Sequence, residues 1–234
     1  MQSVIYSQKG NKSEKNEDAC LSLPMKGLFA VADGVGGGPS GDFASRAIVN
    51  ILCDEFASEQ ASRESILATL EKANDHVYQA SIQNNLKGMA STVVVGWACN
   101  GNLTCFNVGD SRLYLVRKGN IQRLTRDHVR PVQKAPNIIK QMVTNAVGVK
   151  RELKVEVSEY PVQIGDLLLL MSDGISDLLD DERILQIAGN KEISLADRAK
   201  SLVSESERCG GMDDKSIILV ALENGAAGHE SQVE

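Results

Sequence analysis

Aromatic residues are scarce in this 234-residue chain: four Phe, four Tyr and one Trp. That is too few for a platform of interleaved rings on which nucleobases stack. Lys and Arg total 25 against 31 Asp and Glu, a formal charge of −6, and no basic block forms an electrostatic stripe. Nucleic acid is therefore excluded as an expected partner. Cys20, Cys53, Cys99, Cys105 and Cys209 contain no C-x-x-C pair and are odd in number. A disulfide framework and a thiolate zinc site are both disfavoured, and a reducing, cytoplasmic setting is expected. His76, His128 and His229 lack the H-x-x-x-H spacing of zinc hydrolases. Apolar runs reach only about five to seven residues where a membrane span needs about 20, so no membrane partner is expected.

What is present suits one soluble domain. Apolar residues make up 42% of the chain, and a chain of this length buries roughly 70 to 75% of its unfolded surface without needing a staple. The expected division is one domain over residues 1–223 and a frayed tail, 224–234, with a monomer as the working assembly. Short β-rich runs open the chain at Val4 to Ser7, Cys20 to Leu23 and Leu28 to Ala32. Helical spacing follows in Ala44, Ala47, Ile48, Ile51, Leu52 and Phe56, and again from Ile66 to Ala80. Ser62 is an N-cap, but Ser65 stands where a capping box carries Glu, so no full box is expected.

Four strands follow at Ser91 to Cys99, Leu103 to Val108, Arg112 to Val116 and Ile121 to Leu124. Links as short as Asn100-Gly101 and Gly119-Asn120 permit only antiparallel pairing. Further strands are expected at Leu153 to Tyr160, Asp166 to Met171 and Ser216 to Leu222, with helices at Glu182 to Ala188 and Leu195 to Arg208. Runs of strands between paired helices give an α+β layered fold rather than a doubly wound sheet.

The acidic residues carry the chemistry. The runs LFAVADG, CFNVGDS and LLLLMSDG place Asp33, Asp110 and Asp173 just beyond a strand's last buried residue. Glu17-Asp18 and Asp213-Asp214 also flank strand boundaries. Any single Asp-Gly is an ordinary turn former; five acidic positions in the same relation to strands point to convergence. Two like charges about 4 Å apart repel by roughly 4 kcal/mol at an effective dielectric near 20, so such a cluster needs a cation. Oxygen ligands without His or Cys select hard ions, Mg²⁺ or Mn²⁺. Gly34, Gly36, Gly37, Gly38 and Gly41 lack the G-K-[ST] of a P-loop and are read as backbone clearance around that site.

In order, GNKSEKNEDA (Gly10 to Ala19), VADGVGG (Val31 to Gly37), STVVVG (Ser91 to Gly96), NVGDSRLY (Asn107 to Tyr114), LTRDH (Leu124 to His128), VTNAVG (Val143 to Gly148), GDLLLLMSDG (Gly165 to Gly174) and GGMDDKSIILV (Gly210 to Val220) resemble the PPM, or type 2C, metal-dependent serine/threonine protein phosphatases of the bacterial single-domain branch. The resemblance implies an αββα sandwich of two antiparallel sheets flanked by helix pairs. It also implies a site: Asp33 bridging two ions ~3.5–4 Å apart, Glu17 and the Gly34 carbonyl completing one, and Asp173 and Asp213 the other. Asp18 is implied to hold metal-bound water, and Asp110 with Asp173 to hold a third, weaker ion.

Three departures stand out. Ser13 occupies the position of the phosphate-binding Arg, leaving Lys12 and Lys15 as candidates, and a lysine cannot reproduce a guanidinium's fork. Val35 replaces the His proposed as general acid in eukaryotic members. Asp214 replaces the usual Asn after the last metal aspartate. The flap segment Val129 to Gln141 reads as short, with His128 supporting it.

The function implied is hydrolysis of phosphoserine and phosphothreonine on proteins, opposing a Ser/Thr kinase, with Mn²⁺ or Mg²⁺. The alternative is a pseudophosphatase that only binds phosphoproteins. Type VI secretion control, known in some relatives of this size, is one role the residues do not specify.

Overall fold

The computed structural model describes residues 1–12, 14–35, 40–86, 88–135 and 138–223. The expected tail, 224–234, lies outside them. The elements in chain order are β1 (Gln2–Gln8), β2 (Asp18–Leu23), β3 (Leu28–Val35), α1 (Gly41–Ser58), α2 (Arg63–Gln83), β4 (Ala90–Ser91), β5 (Val93–Cys99), β6 (Asn102–Val108), β7 (Arg112–Arg117) and β8 (Asn120–Arg123). They continue with β9 (Val129–Ala135), β10 (Ile138–Val143), β11 (Glu156–Pro161), β12 (Leu167–Met171), α3 (Asp173–Ser176), α4 (Asp181–Ala188), α5 (Leu195–Arg208) and β13 (Lys215–Ala221).

Two antiparallel sheets form the body, one in the order β1-β13-β12-β7-β8 and the other β11-β6-β5-β3-β2, with β4 paired to β3. Period-2 alternation assigns each side chain to a layer. Along β3, Leu28, Ala30 and Ala32 pack under α1 and α2, whereas Phe29 and Val31 face the other sheet. Along β12, Leu167, Leu169 and Met171 pack against α4 and α5, while Leu168 and Leu170 meet Phe29 and Val31 in the layer between the sheets. Three apolar layers thus separate four structural ones, the αββα sandwich expected. Both central strands are apolar on every residue from Leu28 to Ala32 and from Leu167 to Met171 because each is covered on both faces.

Several local expectations change. Helix α2 does begin with a capping box: the Ser62 hydroxyl accepts from Ser65 N, and the Ser65 hydroxyl accepts from Ser62 N at 2.9 Å. A serine therefore reaches back where a Glu was thought necessary. The run from Leu153 becomes a strand only at Glu156; Leu153 and Val155 instead pack on the helix-side core. The flap segment forms a two-stranded hairpin of β9 and β10 that pairs with neither sheet. Among the described residues no helix is long and apolar enough to cross a membrane.

Candidate active site

Alternation that puts Phe29 and Val31 between the sheets also carries Asp33 into that plane, where β3 outruns its apolar cover. Asp18 is its direct cross-strand partner, so two carboxylates share one face at one end of the sandwich. Opposite them β12 ends and Asp173 opens α3, while Asp213 precedes β13. Asp110 sits in the turn between β6 and β7. A cleft of about 230 Å³ results, lined by Glu17, Asp33, Gly34, Asp110, Asp173 and Asp213, and completed by Lys12, Val35, Thr92 and Val143. A roomier hollow of about 400 Å³ beside Ala98, Val162 and Ile164 is mostly apolar and lies at the other end of the strands, with Glu223 the one acidic side chain among its lining residues.

The electrostatics show a site short of positive charge. Burial, and then the charges of Asp18, Asp173, Asp213 and Asp110, hold the Asp33 carboxyl well above its usual range. Asp173 is raised by burial and by Asp213, and its carboxyl lies within hydrogen-bonding reach of Asp33. Asp110 is pushed up to about 7 by burial and by Asp173. Its neighbour Arg112 is committed elsewhere, donating to Asp127 and Asp177. Asp18 is raised mainly by burial, against the stabilising hydroxyl of Ser172, which donates to its Oδ2 at 2.9 Å. Asp18 Oδ1 is buried without a hydrogen-bond partner.

Among the described residues the carboxylates line one cleft without closing into a ready three-ligand cage, as unneutralised like charges should. A divalent ion nonetheless fits them. The donors are all oxygen, Asp18 carries an orphaned acceptor beside them, and the Lys12 ammonium rests on Asp213 Oδ2, a cation standing in the acidic cleft. Such a set suits Mg²⁺ or Mn²⁺ rather than zinc.

Lys12 lines the cleft, whereas Lys15 reaches Asp42, at 3.4 Å in the first turn of α1. Ser13, Gly36, Gly37 and Gly38 lie outside the described residues. Gly34 and Gly41 lie where a side chain would not fit: a Cβ on Gly34 would meet the Gly41 backbone at 2.6 Å, and one on Gly41 would meet Glu17 Oε1 at 2.8 Å. Gly41→Ala should therefore displace the Glu17 carboxylate and weaken Mn²⁺ binding about tenfold or more, as isothermal titration would record; unchanged affinity would separate Glu17 from the metal. His128 supports the hairpin as expected. Its Nδ1 accepts from Gly109 N at 3.2 Å, its Nε2 meets Glu156 at 2.9 Å, and its carbonyl accepts from Thr144 N.

Three contributors were not legible beforehand. Thr92 and Val143 complete the cleft wall, and Ser172 orients Asp18 while accepting from Ser216 N at 2.9 Å. The Ser of SDG was in view, but only its partner across the sheets gives it a role.

A four-layer sandwich that gathers acidic side chains at one end of both sheets is an architecture that suits a metal-dependent hydrolase. The comparisons make the class specific. Residues 8–208 match the profile described as Protein phosphatase 2C, and the chain belongs to that family. It is 30% identical to the serine/threonine phosphatase stp of Listeria innocua serovar 6a over 94% of this chain and 95% of that one. The solved structure of PppA, described as a key regulatory component of the type VI secretion system in Pseudomonas aeruginosa, superposes with a TM-score of 0.82 at 31% identity, covering 94% of this chain and 96% of that chain. The catalytic domain of the phosphatase PstP, solved in complex with two manganese ions, gives a TM-score of 0.79 at 26% identity over 95% and 98% of the two chains.

Proposed function

We propose that this chain, as one catalytic domain over residues 1–223, hydrolyses phosphoserine and phosphothreonine on proteins and so opposes a Ser/Thr kinase, acting as a cytoplasmic monomer. The observation that carries the reading is the convergence of Glu17, Asp33, Asp110, Asp173 and Asp213 on one cleft from both sheets. A module that only bound phosphoproteins would have no need of so complete an acidic set, and the relatives are named as phosphatases.

Glu17, Asp33, the Gly34 carbonyl, Asp173 and Asp213 would hold two Mn²⁺ or Mg²⁺ ions, and Asp110 with Asp173 a weaker third. When bound, such ions lower the pKa of water and offset the charge of the phosphoryl group. Asp18 acts as a positioned acceptor: Ser172 fixes its Oδ2, leaving Oδ1 to orient a water proton for in-line attack. Lys12, on the cleft wall, is placed to meet a substrate phosphate oxygen as a point charge. Val35 offers no proton, so the leaving alkoxide takes its proton from water rather than from a side chain there.

Hydrolysis of a phosphothreonine peptide should require Mn²⁺ or Mg²⁺ and stop with EDTA. Stoichiometric peptide binding without phosphate release would establish the binding-only alternative instead. Lys12→Ala should raise KM by about tenfold, the scale of one charge-assisted hydrogen bond of ~1.5–3 kcal/mol, with Lys15→Ala nearly neutral because Lys15 lies toward Asp42. Ser13→Arg should change KM little, because Lys12 already meets the phosphate; a marked fall in KM would mean instead that the site lacks a donor. Steady-state kinetics on one peptide checks all three, and an unchanged KM throughout would remove this loop from phosphate binding.

A further inference from the structure

The loop from Gly10 to Glu17 carries both Lys12 and Glu17, and one side chain holds its two ends. Asp214 is buried, only 5% exposed. Its Oδ1 accepts the backbone N–H of Gly10 at 2.7 Å and its Oδ2 accepts that of Glu17, also at 2.7 Å. Between these anchors the amides of Asn11 and Lys12 donate to the Met212 carbonyl at 2.7 and 3.2 Å. The loop therefore lies directly on the segment that also supplies Asp213. The approach is so close that a Cβ on Gly10 would stand 2.3 Å from the Asp213 carbonyl group. On the other side, a Cβ on Gly174 would fall 1.9 Å from the Asp214 carbonyl oxygen, so the Asp214 backbone is wedged between the loop and α3.

A carboxylate here is electrostatically unwelcome, because its charge is one of those that raise Asp18. It is explained by acceptor count. Two buried N–H donors converge on this side chain, and a carboxylate presents an acceptor to each. An asparagine presents one acceptor and an NH₂ that would face the second N–H donor to donor. We propose that Asp214 is a positioning residue: its carboxylate clamps both ends of the 10–17 loop and thereby sets where Glu17 and Lys12 stand in the cleft, a task that a side chain with a single acceptor would not perform. The roles of Glu17 and Lys12 rest on the phosphatase reading above.

The test compares Asp214→Asn with Asp166→Asn. Asp166 is an equally buried carboxylate that accepts from Gln163 N at 2.8 Å and pairs with Arg117, at the end of the sandwich away from the cleft. In the full-length wild type without metal, the Gly10 and Glu17 amides should exchange slowly with solvent and resonate downfield, as amides bonded to a carboxylate do. Fast exchange at both would overturn the clamp with no variant made. In Asp214→Asn at least one of the two should exchange tenfold faster or more. The Mn²⁺ dissociation constant, read from the EPR signal of free ion, should rise about tenfold, and KM for the phosphopeptide about tenfold, with kcat changed less than threefold. A residue that merely stabilises the fold would behave like Asp166→Asn, lowering Tm while leaving Mn²⁺ affinity and KM within twofold of wild type; that pattern in Asp214→Asn overturns the proposal. The amide and EPR measurements need no turnover. A wild type that binds Mn²⁺ but releases no phosphate would thus sink the phosphatase reading while leaving the clamp decided on its own data.

Discussion

Asp33→Asn should cut Mn²⁺-dependent hydrolysis by at least a hundredfold, and the metal-free variant should melt no lower than wild type. Both halves follow from the same geometry. Asp33 stands where β3 has left the apolar layers, so no core packing is lost with its charge. Burial and four neighbouring carboxylates raise it, so neutralising it in metal-free protein removes repulsion from the cleft. What disappears is the ligand proposed to join two cations, whose charge is worth several kcal/mol to the transition state; 2.7 kcal/mol already corresponds to about a hundredfold. Asp173→Asn should behave in the same way. Activity above a tenth of wild type in either variant, or a fall of several degrees in metal-free Tm, would separate these residues from the role assigned to them.

Saturating Mn²⁺ should raise the melting temperature by about 5–10 °C. Free ion at one hundred times its dissociation constant adds about 2.7 kcal/mol, and 1 kcal/mol moves a domain of this size by about 2–4 °C. Metal-free protein should also respond to pH in the sense opposite to that given by paired carboxylates of lowered pKa. Asp110 titrates near 7 when folded against an ordinary 3.8, raised by burial and Asp173, and Asp18 and Asp173 are raised as well. Between about pH 4 and 7 the native state then binds more protons than the unfolded chain, so its stability falls as pH rises through that window. Calorimetry without metal should find a higher Tm at pH 5.5 than at 7.5, and saturating Mn²⁺, competing with protons for the same oxygens, should flatten or reverse that slope. A metal-free Tm that climbs with pH over this range, or one indifferent to Mn²⁺, would mean that the carboxylates do not form one interacting cluster.

Most of this site was legible because strand periodicity is local. Asp33 continues the alternation of Phe29 and Val31, and Asp173 follows the apolar run Leu167–Met171 after one serine, so each could be placed at a strand's end from its neighbours alone. What stayed hidden depends on contacts between distant segments. Nothing near Asp214 announces that its acceptors belong to Gly10 and Glu17, and nothing near Ser172 announces Asp18. The flap escaped for another reason: Pro131 and Pro136, with only the adjacent polar pair Gln133-Lys134 between Val132 and Ala135, break the alternation by which strands are recognised, yet β9 and β10 pair with each other away from the core. Helix α3, four residues long, is too short for any period to show. The Ser62–Ser65 box was missed because the usual signature asks for a longer side chain at the third position.

The order of strands in the five-stranded sheet has a bearing on how the molecule is made. β13 lies between β12 and β1, so β1 has no partner in its sheet until β13 is in place. Asp213 and Asp214 immediately precede that strand. The six-stranded sheet can pair without β13, but the cleft lacks one wall until β13 is in place, and pairings so distant along the chain close slowly. Forms truncated before β13 should therefore carry no partial activity: competence arrives in one step, when β13 inserts and β1 docks beside it.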